Sequence, residues 1–128
     1  MGWIGEPRKF QVWEYTVSHS QLLLRSPKEG GYRTRIDVLF KNVDFFRLGT
    51  TAVLDRIEEV EGAEVERLGG HVATTALTGD QRGYRLAGPS SDGLVIAGAL
   101  VIHEDELESH EPSSLPLWPM RSGRQDVD

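Results

Sequence analysis

The sequence predicts a mainly β domain, an antiparallel sandwich or small barrel carrying at most one short helix and followed by a disordered C-terminal tail. Three observations predict it. Short runs rich in β-branched and aromatic residues recur along the chain, Gly, Pro, Asn and Asp signals separate them about every ten residues, and no long helical period appears. With 128 residues the chain has the length of one ordinary domain. The expected division is an arm at 1–8, a single β-rich domain at 9–110 and a mobile, proline-containing tail at 111–128.

The first strand is Phe10–Val17, where Trp13, Tyr15 and Val17 recur at period two and Trp13 is expected in the core. Ser18-His19-Ser20-Gln21 is a polar break. Leu22–Ser26 then returns as a second strand, making a hairpin that Pro27 ends. Lys28-Glu29-Gly30-Gly31 is a turn, because two glycines tolerate the positive φ that tight turns require. The clearest alternation follows: Tyr32, Thr34, Ile36, Val38 and Phe40 share one face, while Arg33, Arg35, Asp37 and Lys41 occupy the other, interrupted only by Leu39. A half-buried strand with a solvated polar face is the natural reading.

Asn42-Val43-Asp44 marks a bend before Phe45–Leu48. Thr51–Ile57 fits a strand or a helical turn, and 58–68 fits neither period. Gly69-Gly70 punctuates, His71–Thr78 reads as a Thr- and Val-rich strand, and Tyr84–Ala87 as a short one. Gly88–Gly93 is a loop. Leu94–Ile102, apolar on both faces, reads as a central strand with Gly98 marking a bulge or bend. A single helix has room near 51–60 or 104–110.

Composition excludes several classes of function. The chain has no cysteine, which removes disulfides, thiolate catalysis and Cys-ligated metals. No stretch approaches the length of a membrane span, and the N-terminus has no basic start followed by an apolar run, so the expectation is a cytoplasmic protein without membrane contact. The net charge is −6, and its acids fall in two blocks. Residues 51–68 hold six acids against two arginines, and 103–128 hold seven against two. Nucleic acid is therefore an unfavourable partner.

The candidate chemical sites mostly dissolve on spacing. On a helix, His103 and His110 would lie two turns apart, about 10 Å, too far for one ion. Ser18 and His19, as neighbours on an extended chain, would point to opposite faces. No nucleophile elbow, phosphate loop or dinucleotide fingerprint is present. No catalytic, cofactor-binding or metal-ligating residue is expected, and no cofactor. An enzyme or small-ligand site remains open only if folding assembles Arg35, Asp37, His71 or Tyr84 within a β-barrel.

The run Trp13-x-Tyr15-x-Val17-Ser18-His19-x-x-Leu22-Leu23-Leu24-Arg25-Ser26, followed by Arg35-Ile36-Asp37-Val38-Leu39-Phe40-Lys41-Asn42-Val43, resembles small bacterial β-rich domains, some found beside toxin genes as immunity proteins. The resemblance covers about 35 residues and implies no catalytic residue. It implies a protein that works by binding another protein. Partner-binding candidates are then Arg33, Arg35 and Asp37 on the third strand, Glu104, Asp105, Glu106 and Glu108 in the acidic run, and Trp118, whose Leu-Pro-Leu-Trp-Pro setting suits groove docking. Acidic faces at 55–66 and 103–111 suit a basic protein partner. Docking of the tail onto a neighbour, including a second copy, is the alternative.

Overall fold

The structure, a computed structural model, describes residues 3–89 and 91–115. Eight strands, β1 (Trp3–Thr16), β2 (Gln21–Ser26), β3 (Arg35–Lys41), β4 (Phe45–Arg47), β5 (Thr51–Val60), β6 (Arg82–Ala87), β7 (Asp92–Ala97) and β8 (Ala99–Asp105), form one antiparallel sheet. One helix, α1 (Gly62–Thr75), lies between β5 and β6. The strand order is β4-β7-β6-β5-β1-β2-β3-β8, so the sheet is open, with β4 and β8 at its edges.

Those two edges belong to a single bent ribbon. β3 pairs with β8 from Arg35↔Asp105 to Lys41↔Ala99, and β4 pairs with β7 from Phe45↔Ile96 to Arg47↔Leu94. The corner lies at Asn42, which has φ 56°, and at Gly98, whose amide donates to the carbonyls of Lys41 (2.9 Å) and Asn42 (3.2 Å). One half of the ribbon joins the sheet through β3 and the other through β7, which curls the sheet around its inner face. Leu94–Ile102 is thus not one central strand. Gly98 divides it into β7, covered on both faces, and β8, an edge strand whose Val101 is exposed.

The inner face carries the main core: Phe10, Leu22, Leu24, Ile36, Val38, Phe40, Leu54, Ile57, Tyr84, Leu86, Val95 and Ala97 are all buried. Register then fixes what points outward. A bulge at Trp13 shifts β1 against β2, since Val12 pairs with Leu24 but Glu14 pairs with Leu23. It reverses the period-two reading: Tyr15, opposite Leu22, faces inward, while Trp13 stays outside and is 39% exposed instead of entering the core.

Two separate pieces cover the outer face. Helix α1 lies over β7, burying Val65, Leu68 and Ala73 against Leu94 and Ile96. The strand reading of Thr51–Ile57 holds; the helix lies at neither 51–60 nor 104–110, and His71–Thr75, read as strand, belongs to it. Gly69 and Gly70 are the reason for its irregularity. A side chain on Gly69 would sit 2.7 Å from Leu94 Cδ2, and Gly70 leaves helical geometry at φ 79°, kinking α1. The second cover is the segment after β8, residues 106–115, which lies on β2 and β3 and inserts Leu115 between Leu23 and Leu39. Its last five residues were expected within the mobile tail; they are bound to the sheet. The rest of the tail, 116–128, lies outside the described residues. The N-terminal arm is likewise shorter than expected, because β1 begins at Trp3 and pairs with β5.

Candidate functional site

The polar face of β3 is buried, not solvated. Arg25 and Asp37 face each other across β2 and β3, each about 1% exposed. Arg25 grips Asp37 with two bonds, Nε to Oδ1 at 2.7 Å and Nη2 to Oδ2 at 3.0 Å. Arg35, 0% exposed, holds Asp105 the same way at 3.1 and 3.0 Å. Their remaining N–H groups point outward and donate to main-chain carbonyls of the covering segment. Arg25 reaches Ser109 and Glu111, and Arg35 reaches Glu108, Glu111 and Pro112. Trp13 closes the side, with the Arg25 guanidinium 4.8 Å from the centre of its ring. These paired, fork-shaped donors suit carbonyl and carboxylate acceptors together, which is why arginine and not lysine can fill both roles.

The other partner candidates scatter. Arg33 is exposed in the bend before β3. Glu104 accepts a bond from the Thr34 hydroxyl beside Arg8. Glu108 pairs with Lys28 at 3.0 Å, and Lys28 also donates to the Glu106 carbonyl. Asp105 accepts further bonds from the Ser114 hydroxyl and the Leu107 amide. Burial pushes the Asp105 carboxyl up, but the donors from Arg35, Ser114 and Leu107 outweigh it and hold the group below its ordinary range. Trp118 lies outside the described residues. Within the acidic run Asp105 is the residue turned inward; Glu104, Glu106 and Glu108 are exposed, and the segment is held to the sheet mainly through its carbonyls.

The first acidic block is similarly engaged. Glu58 pairs with Arg56 and Arg85, Glu59 with Arg82, and Glu64 with Arg67. Asp92 bonds Arg85 at 2.7 Å, which holds its carboxyl below the ordinary value. The enzyme candidates are not brought together either. Tyr84 is buried in the inner core against Phe40, with ring centroids 5.7 Å apart, and burial pushes its hydroxyl pKa up. His71 is exposed on α1, and Arg35 and Asp37 lie on the outer face. Ser18 and His19 do touch, Oγ to Nδ1 at 3.0 Å, because Val17–His19 is a 3₁₀ turn and not extended chain. The contact is a local one on an exposed turn. Among the described residues no group of metal-ligating side chains converges, and no helix is long and apolar enough to cross a membrane.

What the sequence did not disclose is a cavity. A half-open pocket of about 440 Å³ opens on the inner face. Its floor is formed by Phe10, Val12, Leu24, Ala52, Leu54 and Leu86, and its rim by residues 47–49 and 91–93. The β4–β5 connection is pinned in place, since the Thr50 carbonyl accepts from the Val12 amide at 2.8 Å. Nothing in the sequence marks the pocket, because each floor residue is an ordinary core residue of its own strand. Comparison of the chain with protein-family models, with curated proteins and with solved structures finds no match.

Proposed function

We propose that this domain binds a small apolar molecule in the inner-face pocket and performs no catalysis on it. The observation that carries the reading is the pocket itself. Its volume falls within the range of small-molecule sites, its floor is apolar, and it opens to solvent beside a pinned loop. The titratable groups an enzyme would need, Arg35, Asp37, His71 and Tyr84, are distributed over two faces and a helix. Titration of the full chain with the uncharged fluorophore N-phenyl-1-naphthylamine tests the proposal. Saturable one-to-one binding is expected, at least tenfold weaker in Ala52→Phe, which fills the floor, with circular dichroism verifying that the variant is folded. Absence of saturable binding to the native chain overturns it.

A protein partner is the second reading, and one observation favours it. Tyr15 and Phe46 meet in a tilted contact, ring centroids 5.5 Å apart, while remaining 39% and 37% exposed, and Val17, on the adjoining turn, is 78% exposed. Exposed aromatic groups of this kind suit a protein contact better than the acidic blocks, whose charges are extensively paired internally. Pull-down with the native chain against Tyr15→Ser/Phe46→Ser discriminates. Loss of a partner in the variant supports this reading, and unchanged capture removes this surface from it. Capture that weakens steeply with salt would instead restore the acidic surfaces to that role.

A further inference from the structure

The pocket's chemistry can be read further from strand register, on the premise that the cavity is a ligand site. Several charged or polar residues line it, yet their side chains face away. Gln11 pairs with Arg25, which belongs to the outer clamp, and Thr51 pairs with Gln11, so both point outward. Arg47 pairs with Leu94, whose side chain packs under α1, and its guanidinium donates to the Leu68 carbonyl of the helix at 3.3 Å. Asp92 is bound to Arg85 and lies 3.6 Å from Arg67 of α1, again on the outer face.

These four therefore present main chain to the cavity. Facing inward are core apolar side chains and Gly93, which lies opposite Leu86 and adds no side chain where the pocket opens. Ser91, at the rim, is uncharged. A ligand charge in this space would meet no opposite charge, and removal of an ionised group from water without a partner is strongly unfavourable.

We infer that the pocket selects an uncharged, largely apolar ligand, because the charged side chains along its lining, Arg47 and Asp92, are turned to the outer face of the sheet, leaving apolar side chains, Ser91 and main chain to meet the ligand. The neutral end of such a ligand would find its polar contacts in the main chain of residues 47–49 and 91–93, at the mouth. Gly93 sets the space there: a Cβ on it would come within 3.2 Å of the Arg47 carbonyl and Leu48 Cβ.

Displacement of bound N-phenyl-1-naphthylamine from the full chain by three molecules of one chain length, decanol, decanoate and decylammonium, tests this. Decanol is expected to displace the probe, with decanoate and decylammonium each at least threefold weaker and with no dependence of decanol binding on salt. A charged analogue within threefold of decanol, or tighter than it, overturns the inference. So does failure of decanol to displace a probe that does bind. A native chain that binds no probe at all instead removes the pocket reading beneath it, so the two failures are distinct. Gly93→Val, with folding verified by circular dichroism, is expected to weaken decanol at least threefold; unchanged affinity would show that Gly93 does not bound the site.

Discussion

The outer face of this sheet is covered twice, by opposite means. Over β7, helix α1 contributes Val65, Leu68 and Ala73 to an apolar contact with Leu94 and Ile96. Over β2 and β3, residues 106–115 contribute one apolar anchor, Leu115, and are otherwise held through their carbonyls by Arg25 and Arg35. The helix satisfies its own backbone and needs only a greasy stripe to adhere. A segment with no regular structure cannot do so, and its carbonyls would be left without partners against the sheet. Buried arginines solve that problem, and Asp37 and Asp105 then neutralise the arginines. Charge enters this core because an irregular strand of chain needs donors beneath it.

The comparison predicts that the polar cover is the more sensitive to a single change. Asp37→Ala strands the Arg25 guanidinium at a site about 1% exposed, and removal of one member of a buried pair typically costs about 3–5 kcal/mol. Equilibrium urea denaturation should show that loss, together with increased proteolysis within 106–115. Replacing both partners, Arg25→Met with Asp37→Leu, is expected to destabilise by less than the sum of the singles; additive losses would show that the two side chains are not coupled. On the apolar cover, Leu68→Ala should cost about 2–3 kcal/mol, the low end of the range for leucine truncation, because α1 is kinked and can settle onto the cavity. A larger loss there than for Asp37→Ala would reverse the ranking.

The same contrast explains how much of the fold could be read from sequence. The inner face was legible because Ile36, Val38 and Phe40 alternate, and because the apolar run Leu22-Leu23-Leu24 lies beside them in the paired strand. Both outer covers were not. Alternation identifies the apolar face of a strand but does not say whether the other face meets water, so Arg35 and Asp37 read as solvated until residues that lie 70 to 77 positions from Arg35 are folded onto this face. Helix α1 escaped for a different reason. Gly69-Gly70 interrupts it, the kink leaves Val65, Leu68 and Ala73 at spacings of three and five, and Val72, Thr74 and Thr75 favour strand by propensity. The bulge at Trp13 and the corner at Gly98 are likewise register events, and only Gly98 left a mark in the composition. The pocket left none, since it depends on how far the curled sheet's inner walls stand apart and on which way Gln11, Arg47, Thr51 and Asp92 turn.

Acid should loosen the polar cover before the apolar one. Asp105 has a folded pKa held below the ordinary carboxylate range, so protonation favours the unfolded chain. The stability it contributes is fully present above the unfolded value and is lost as pH falls through the folded one. The hydrogen-exchange protection factors of residues 106–115, taken relative to intrinsic exchange at each pH, are therefore expected to fall below about pH 4 while the α1 amides retain theirs. Asp105→Asn should move that loosening into neutral solution and flatten its pH dependence. Simultaneous release of both covers would mean that they unfold as one unit.

The smallest effect expected is at the surface pairs that partly enclose α1 and β6. Arg82 reaches Glu59 at 2.7 Å, closer than many buried contacts, yet its side chain is 58% exposed. Distance alone would rank it with Arg25 and Asp37. Solvent screening and the entropy of holding two long side chains argue the reverse. Arg82→Ala should leave the urea midpoint indistinguishable from the native chain, at low salt and at high salt alike. A measurable loss that vanished in salt would show that the ion-pair lattice of β5, β6 and α1 acts cooperatively, and the division between a polar cover that matters and a surface that does not would have to be redrawn around charge networks instead of burial.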